Sequence, residues 1–346
     1  MLLRRACVVS SVLLAAAVLC GCGDGDQKKQ TGLRKSFRAA LVFDVGGRGD
    51  KSFNDAAYDG FMAAARLLNA EPEEFKYLEP SGAIDRDAAL RGYAEQGFDV
   101  VIGVGFLFTE AIYRIAPQFP KTWFVCVDYD AYGKPQVPAN VIGLTYREEE
   151  GSYLVGAIAA LTTKTDKIGF IGGMQTPLIE KFEAGYCAGA KGANPNVEVF
   201  VSYAGQTPDA FADPVRGKEL ARTQFQRGAD IIYHASGSTG LGVFEAAIEA
   251  GKLAIGVDKD QYADAPGHIL TSMFKRVDSS VRDTIVKAAN GSIRGGLEQY
   301  GLADNAVGYV YDDNNKSLIP EAVRERAEGL RARIVSGELK VPTKAK

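Results

Sequence analysis

The sequence predicts an α/β protein built from two doubly wound parallel sheets. Short apolar runs alternate with helix-period segments along most of the chain, which is the pattern of repeated βα units. Some runs are continuously apolar, for example residues 100–104 and 123–127. Runs of this kind are typical of parallel strands that are covered on both faces. About ten strands are predicted, which suits two sheets better than one open sheet.

The N-terminus has the features of a bacterial lipoprotein signal. Two arginines precede an apolar run over residues 6–19, and Cys20, Gly21 and Cys22 follow it. A short basic start, an apolar core and small residues before a cleavage site are typical of a secretory signal, and this run is short for a membrane-spanning helix. Leu-x-Gly-Cys resembles a lipobox. We predict a signal peptide over residues 1–21 and a lipidated Cys22; an ordinary signal peptide with an incidental cysteine is the alternative.

Residues 22–36 are polar and rich in Asp, Gln, Lys and Gly. This composition predicts a flexible tether between the anchor and the folded part. The folded part is expected to begin near Phe37.

The strands are interleaved with helical segments. The clearest is 52–68, in which apolar residues recur along one stripe. Ser52 and Asp55 form a Ser-x-x-Asp capping pair at its start. The helical segment 147–161 marks where the second sheet is expected to begin. The predicted strands cover residues 39–44, 75–79, 99–104, 122–128, 140–145, 167–172, 197–203, 230–234, 253–258 and 268–273.

Composition argues against several classes of function. The formal net charge is −3 and no cluster of Lys and Arg forms a stripe, so a nucleic-acid partner is not expected. The chain has two histidines and no Cys-x-x-Cys pair, which argues against a zinc site. No Gly-x-Ser-x-Gly elbow is present to support a catalytic triad. We therefore expect no metal, no other cofactor and no enzymatic activity.

Ligands of open α/β sheets bind at the carboxyl ends of the strands, and the first strand ends in a glycine-rich loop that begins with Asp44. Asp50 stands before Lys51 where a phosphate-binding loop requires glycine, so a phosphate cradle is not expected. Phe53 and Asn54 follow at the start of a helix. Phe53 is either a core residue or a ring that stacks on a flat base, with neighbouring polar groups bonding to the edge of that base.

Other strands also end in polar or small residues. Asp128 and Asp258 each follow a Val at a strand end, where Asp is also common as a helix cap. The loop around Gly237 either cradles a ligand or caps the next helix. Lys275 is either a surface cation or a ligand contact. Carboxylates accept hydrogen bonds from hydroxyls and an ammonium group donates to them, so these residues suit a polyhydroxylated ligand.

The chain resembles the basic membrane lipoprotein family, whose best-understood members are purine nucleoside receptors of bacterial ABC transporters. The resemblance covers essentially the whole mature chain. Besides the lipobox it rests on these segments in order: Asp44-x-Gly-Gly-x-x-Asp50-Lys51-Ser52-Phe53-Asn54, Phe182-Glu183-Ala184-Gly185-Tyr186, Phe211-x-Asp213-x-x-x-Gly217-Lys218-Glu219, Gly237-x-Thr239-Gly240-x-Gly242-Val243-Phe244, Gly256-Val257-Asp258-x-Asp260-Gln261, and Ser272-Met273-x-Lys275-x-Val277-Asp278.

The resemblance implies a type I periplasmic-binding-protein fold with two lobes joined by a hinge. The N-terminal lobe would contain residues 37–145 and 274–300, and the C-terminal lobe residues 146–273 and 301–346. A purine nucleoside of the adenosine, guanosine and inosine class would bind between them. The protein would be a monomer on the cell membrane, lipid-anchored towards the periplasm or exterior, and would supply an ABC permease and its ATPase.

The resemblance also implies a site of eight residues. They are Phe53 and Phe211 for stacking on the purine, Asn54 and Asp128 for its edge, Asp258 and Lys275 for the ribose hydroxyls, and Asp44 and Gly237 as further lining of the pocket. The loop 233–237 departs from the family, which more often has Phe or Pro and a pair of glycines there.

Two other functions fit the same residues. A sensor or surface adhesion lipoprotein would use this fold but pass the ligand to a signalling partner or host molecule, and the neighbouring genes would distinguish it from a transporter component. A nucleoside hydrolase would typically cluster carboxylates on a metal, whereas the loop after Asp44 is built mainly from Gly, Arg and Lys.

Overall fold

Two six-stranded sheets organise the chain in a computed structural model that describes residues 37–80, 83–131 and 136–344. The predicted signal peptide, Cys22 and the predicted tether lie outside the described residues. The strands are β1 (Ala39–Val42), β2 (Phe75–Leu78), β3 (Val100–Val104), β4 (Trp123–Val127), β5 (Val141–Tyr146), β6 (Lys167–Met174), β7 (Glu198–Gly205), β8 (Ile231–Ala235), β9 (Leu253–Asp258), β10 (Ile269–Lys275), β11 (Gly296–Tyr300) and β12 (Val307–Tyr309).

The helices lie between the strands, as repeated βα units require. They are α1 (Phe53–Leu67), α2 (Ala83–Glu95), α3 (Thr109–Ile115), α4 (Glu148–Thr162), α5 (Pro177–Ala193), α6 (Pro214–Gln226), α7 (Thr239–Ala250), α8 (Val277–Ala289) and α9 (Glu321–Val335). Among the described residues, none of these helices is both long and apolar enough to cross a membrane.

The two sheets repeat one strand order. The first runs β11-β5-β4-β3-β1-β2 and the second β12-β10-β9-β8-β6-β7. All neighbouring strands are parallel except β12, which is antiparallel to β10. This confirms the predicted fold class. The chain passes between the sheets three times, after β5, after β10 and after β11. Residues at the carboxyl ends of strands in both sheets line one cleft.

The ten predicted strands correspond to β1–β10, and the predicted helical segments to α1 and α4. β3 is fully buried and β4 is buried except at Trp123, and both contain the continuous apolar runs that predicted them. Strands β11 and β12 lie at the sheet edges and were not predicted. β11 mixes charged and apolar residues and β12 has three residues, so neither has enough sequence to show a strand period.

The start of α1 differs from the prediction. The Asp50 carboxylate accepts hydrogen bonds from the backbone N–H groups of Ser52 (2.9 Å), Asn54 (2.8 Å) and Asp55 (3.1 Å). Ser52 makes no capping bond with its side chain. The predicted Ser52–Asp55 capping pair is therefore wrong. A carboxylate can take several of the free N–H groups of the first turn, whereas a hydroxyl takes one, and the Ser52 hydroxyl is engaged elsewhere.

Candidate functional site

All eight predicted site residues line one cavity between the carboxyl ends of the two sheets. The cavity has a volume of about 70 Å³, which is smaller than the roughly 300–1,000 Å³ of typical small-molecule sites. The predicted residues in its wall are Asp44, Phe53, Asn54, Asp128, Phe211, Gly237, Asp258 and Lys275. The wall residues that were not predicted are Val45, Asp50, Gly105, Phe106, Leu178, Ile179, Phe182, Ala235, Ser236 and Val257.

Four phenylalanine rings belong to the apolar part of the wall. Phe53 and Phe211 are half-buried and pack on the core while they line the cavity. Phe106 meets Phe211 edge to face, with ring centroids 6.3 Å apart and planes at 69°. Phe182 is buried at the start of α5. Aromatic faces in a concave wall suit a flat ligand.

The loop that carries Phe211 is tied to the start of α7. Ser238 Oγ donates to the Phe211 carbonyl oxygen (3.1 Å), and Thr239 Oγ1 donates to the Ala210 carbonyl oxygen (2.8 Å). Gly237 has a φ of +56°, and a side chain there would press on the Phe211 backbone. The predicted small-residue loop therefore both lines the cavity and positions one of its rings.

A buried ammonium group lies at the polar end of the cavity. Lys275 Nζ donates to Asp128 Oδ2 (2.7 Å) and lies 3.6 Å from Glu148 Oε1 and 4.0 Å from Asp258 Oδ1. It is also 4.8 Å from the centroid of the Phe53 ring. Lys275 is 2% exposed, so it is a buried centre of charge and not a surface cation.

Three carboxylates lie around Lys275, and a second ammonium group, that of Lys181, donates to one of them, Glu148, at 2.7 Å. Burial raises the pKa of Asp128 to about 6, although Lys275 acts to lower it. Burial likewise raises the pKa of Asp258, against the effect of Lys275. Burial alone would lower the pKa of Lys275, but the nearby carboxylates more than offset this and raise it. The ammonium therefore stays charged, and the net field at this end of the cavity is negative.

Asp128 and Asp258 occupy equivalent places in the two sheets. They follow Val127 and Val257 at the ends of β4 and β9, and their φ angles are +59° and +66°. Left-handed backbone is strained for residues other than glycine and is often found at functional sites. Oδ1 of each is buried and has no hydrogen-bond partner in the described part of the chain. Each residue thus offers a lone acceptor atom for a donor group.

Hydrogen bonds cross the cleft at this point. Ser52 Oγ, in the loop between β1 and α1, donates to Asp258 Oδ2 at 2.6 Å. Lys275 at the end of β10 donates to Asp128 after β4. These bonds join the carboxyl ends of the two sheets beside the cavity.

Asn54 and Asp44 shape the loop after β1. Asn54 Oδ1 accepts from the Asp44 N–H (3.1 Å), and Asn54 Nδ2 donates to Asp50 Oδ2 (3.1 Å) and to the Val45 carbonyl oxygen (3.4 Å). A ligand would have to share these bonds to contact the amide. Burial raises the pKa of Asp44 to about 7 and that of Asp50 to about 6.

Some of the unpredicted wall residues had a usable signal. Phe106 and Ser236 come just after β3 and β8, so the rule that sites lie at strand ends would have found them. Leu178, Ile179 and Phe182 lie in the first turns of α5 and have no local pattern that separates them from core residues. Within residues 37–80, 83–131 and 136–344, no group of His, Cys, Asp or Glu is arranged to hold a metal ion.

Comparison with known proteins places this architecture in a family. Residues 37–345 match the model of the Bmp family, described as ABC transporter substrate-binding protein PnrA-like. The chain belongs to this family. It is 34% identical to the CD4+ T-cell-stimulating antigen of Listeria monocytogenes over 99% of each chain. It is also 34% identical to the ABC transporter nucleoside-binding protein BmpA of Lactococcus lactis, again over 99% of each.

A solved structure supports the same assignment to the Bmp family. An ABC transporter solute-binding protein from Aeropyrum pernix superposes with a TM-score of 0.81 and 28% identity, over 90% of this chain and 94% of that one. The predicted family and the predicted periplasmic-binding-protein type of fold are thus confirmed.

Proposed function

We propose that this Bmp-family protein binds a purine nucleoside in the cavity and supplies it to an ABC permease and its ATPase. The observation that carries the proposal is the pairing of half-buried aromatic rings with two buried carboxylate oxygens that have no hydrogen-bond partner in the described part of the chain. The rings suit a flat base and the carboxylates suit a ligand rich in hydrogen-bond donors. The nucleoside-binding relative in Lactococcus lactis supports the same ligand class.

The base is expected between Phe53 and Phe211. A stacked base contributes about 1–3 kcal/mol for each aromatic partner. Asp128 Oδ1 has a free lone pair for an N–H at the base edge, and Asn54 would share its amide with the ligand. The ribose would then lie towards Asp258 and Lys275, where a carboxylate accepts from hydroxyls and an ammonium donates to them.

The charge of the site argues for a neutral ligand. Asp128, Asp258 and Glu148 surround Lys275, and Lys181 bonds to Glu148, so three carboxylates face two ammonium groups. A nucleotide would bring further negative charge into this field and should be repelled. We therefore propose that nucleosides bind and that their phosphates do not.

We also propose that the two sheets belong to two lobes that close on the ligand. The predicted bounds at residues 145 and 274 would cut β5 and β10, so we place the lobes at residues 37–146 with 276–300 and residues 147–275 with 301–346. The three passages of the chain between the sheets would form the hinge. The protein would act as a monomeric receptor and not as an enzyme.

Calorimetry with a panel of ligands tests the function. Adenosine, guanosine and inosine should bind, whereas the matching monophosphates should not. Chromatography of the recovered ligand should show intact nucleoside. Tight binding of the monophosphates, or release of free base from inosine, would contradict the proposal.

Phe53→Ala should weaken nucleoside binding by about 1–3 kcal/mol, because one stacking face is lost. The fold should survive, because the ring is half-buried at the cavity wall. Phe61→Ala on the same helix is the control: Phe61 is fully buried, and this change should cost about 3–5 kcal/mol of stability. If Phe53→Ala lowers the melting temperature as much as Phe61→Ala does, Phe53 is a core residue.

The anchor is proposed from the sequence. Cys22→Ser should abolish lipidation and move the protein from the detergent phase to the aqueous phase, because several acyl chains bind a membrane far more strongly than none. Cys20→Ser is the matched control and should leave the partition unchanged. An unchanged detergent-phase fraction for Cys22→Ser would remove Cys22 as the anchor.

A further inference from the structure

A chain of hydrogen bonds runs behind the cavity wall, from Ser236 to the backbone of β9. Ser236 Oγ lies 3.4 Å from His234 Nδ1, and His234 Nε2 lies 3.2 Å from Gln261 Oε1. The same Gln261 oxygen accepts from the Val257 N–H at 2.7 Å. All three side chains are at most 1% exposed, yet Ser236 is part of the cavity wall.

The donor and acceptor of each hydrogen bond follow from the backbone N–H at the β9 end of this series of bonds. The Val257 N–H can only donate, so the Gln261 atom that faces it is the carbonyl oxygen. That oxygen cannot donate, so its bond to His234 requires a proton on Nε2. A neutral imidazole carries one N–H, so Nδ1 is an acceptor. The remaining bond must therefore use the proton of the Ser236 hydroxyl.

The surroundings hold the His234 ring neutral and in one orientation. A side chain at Gly240 would lie 2.0–2.5 Å from the ring atoms, so the ring rests directly on the backbone of α7. Phe244 packs edge to face against it, with centroids 5.0 Å apart. Burial lowers the pKa of His234 to about 4, although the bond to Gln261 acts to raise it.

We propose that Ser236 is a specificity-determining residue whose hydroxyl acts only as an acceptor towards the cavity, because its proton is committed to His234. A ligand must present an N–H or O–H group at this wall. A ligand that places a lone pair there meets the lone pairs of Ser236 and is rejected. This inference rests on the proposed nucleoside binding and adds a residue to its recognition set.

Nitrogen NMR of the histidine rings tests the first step without any ligand. The chain has two histidines, and His268→Gln assigns the remaining ring to His234. We expect the spectrum of a neutral ring protonated at Nε2, unchanged from pH 8 down to about pH 5. Ser236→Ala should shift the Nδ1 resonance. A ring protonated at Nδ1, or on both nitrogens at neutral pH, would overturn the inference.

Calorimetry with ligands that each lack one donor tests the second step. The panel contains the parent nucleoside, purine riboside and the 2′-, 3′- and 5′-deoxy forms. Ser236→Ala should weaken the parent by about threefold to tenfold, as for a neutral hydrogen bond. One analogue of the panel should lack the N–H or O–H group that donates to Ser236. The Ser236→Ala variant and the wild type should bind that analogue with equal affinity. Ser236→Thr keeps a hydroxyl and should keep the wild-type ranking.

The outcomes separate this inference from the proposed function. Ser336→Ala changes an exposed serine at the end of α9 and should bind as the wild type does. If Ser236→Ala weakens every analogue equally, or none, Ser236 does not meet a ligand donor and the inference fails alone. If the wild type binds no purine nucleoside, the proposed function fails instead, and the nitrogen spectra still decide whether Ser236 is held as an acceptor.

Discussion

Replacing Lys275 by methionine is expected to lower the free energy of unfolding by about 3–5 kcal/mol at neutral pH, because it leaves buried carboxylates without their counter-charge. Methionine has a similar length and no charge. Lys275 is 2% exposed and its ammonium bonds to Asp128 at 2.7 Å. Nucleoside affinity should also fall by roughly 2–5 kcal/mol, as for a buried charge pair that loses one partner. Urea unfolding and calorimetry measure the two effects.

The loss of stability should depend on pH. In the wild type, Lys275 acts to lower the pKa of Asp128, which burial has raised to about 6. Without Lys275 that pKa rises further above its value in the unfolded chain. A carboxyl group with a raised pKa in the folded state stabilises the fold at low pH, and this contribution is lost as the pH rises through the folded-state pKa. The deficit of Lys275→Met should therefore be smallest at and below about pH 6 and grow as the pH rises above this value.

Lys287→Met is the matched control for Lys275→Met. Lys287 pairs with Glu298 at 2.9 Å, but its side chain is 41% exposed. Exposed ion pairs contribute about 0–1 kcal/mol, so this variant should unfold almost as the wild type does. A Lys275→Met protein with equal stability and a flat pH profile would show that the carboxylates around Lys275 are not held as charges.

The sequence predicts most of the fold because the strands are buried on both faces. A strand such as β3 then appears as a continuous apolar run, and a run can be recognised without any tertiary knowledge. β11 and β12 carry no such run, because β11 mixes charged and apolar residues and β12, although buried, has only three residues. Tertiary pairing alone defines them.

The candidate site was predictable where chemistry coincides with a strand end. Asp128 and Asp258 each end an apolar run, and the structure places both at the cavity. Contacts between residues that are distant in the sequence could not be predicted in this way. The residues that follow Ser52 in the sequence predict a helix cap, but its hydroxyl donates to Asp258, 206 residues further along the chain. Likewise, the direction of the Ser236–His234 hydrogen bond follows only from the position of the Gln261 carbonyl oxygen, which the sequence does not show.

Asp258→Asn is expected to remove most of the preference for ribose over free base. Asp258 Oδ2 accepts from Ser52, and Oδ1 has no hydrogen-bond partner among the described residues. An asparagine that keeps the bond from Ser52 must turn its NH₂ group towards the ligand, where ribose hydroxyls would also donate. The affinity for adenosine should fall by roughly 2–5 kcal/mol. The affinity for adenine should change little, because adenine has no hydroxyl to meet this residue.

Asparagine is the substitution of choice because it tolerates left-handed backbone, and the φ of Asp258 is +66°. Asp166→Asn is the control, since Asp166 is exposed and has a φ of +55°. Asp166→Asn should leave ligand affinity and stability unchanged. This control shows whether an Asp→Asn change at a left-handed backbone position has an effect of its own, apart from the loss of a buried charge.

The wild-type protein alone provides the decisive ranking. Adenosine should bind more tightly than 2′-deoxyadenosine, and 2′-deoxyadenosine more tightly than adenine, because each step removes hydroxyls that pair with Asp258 and Lys275. Asp258→Asn should compress these differences. Equal affinities of the wild type for all three compounds would place Asp258 and Lys275 outside the ligand contacts. The buried charges beside the cavity would then only connect the two sheets through their hydrogen bonds. The argument for a nucleoside ligand would rest on the aromatic rings alone.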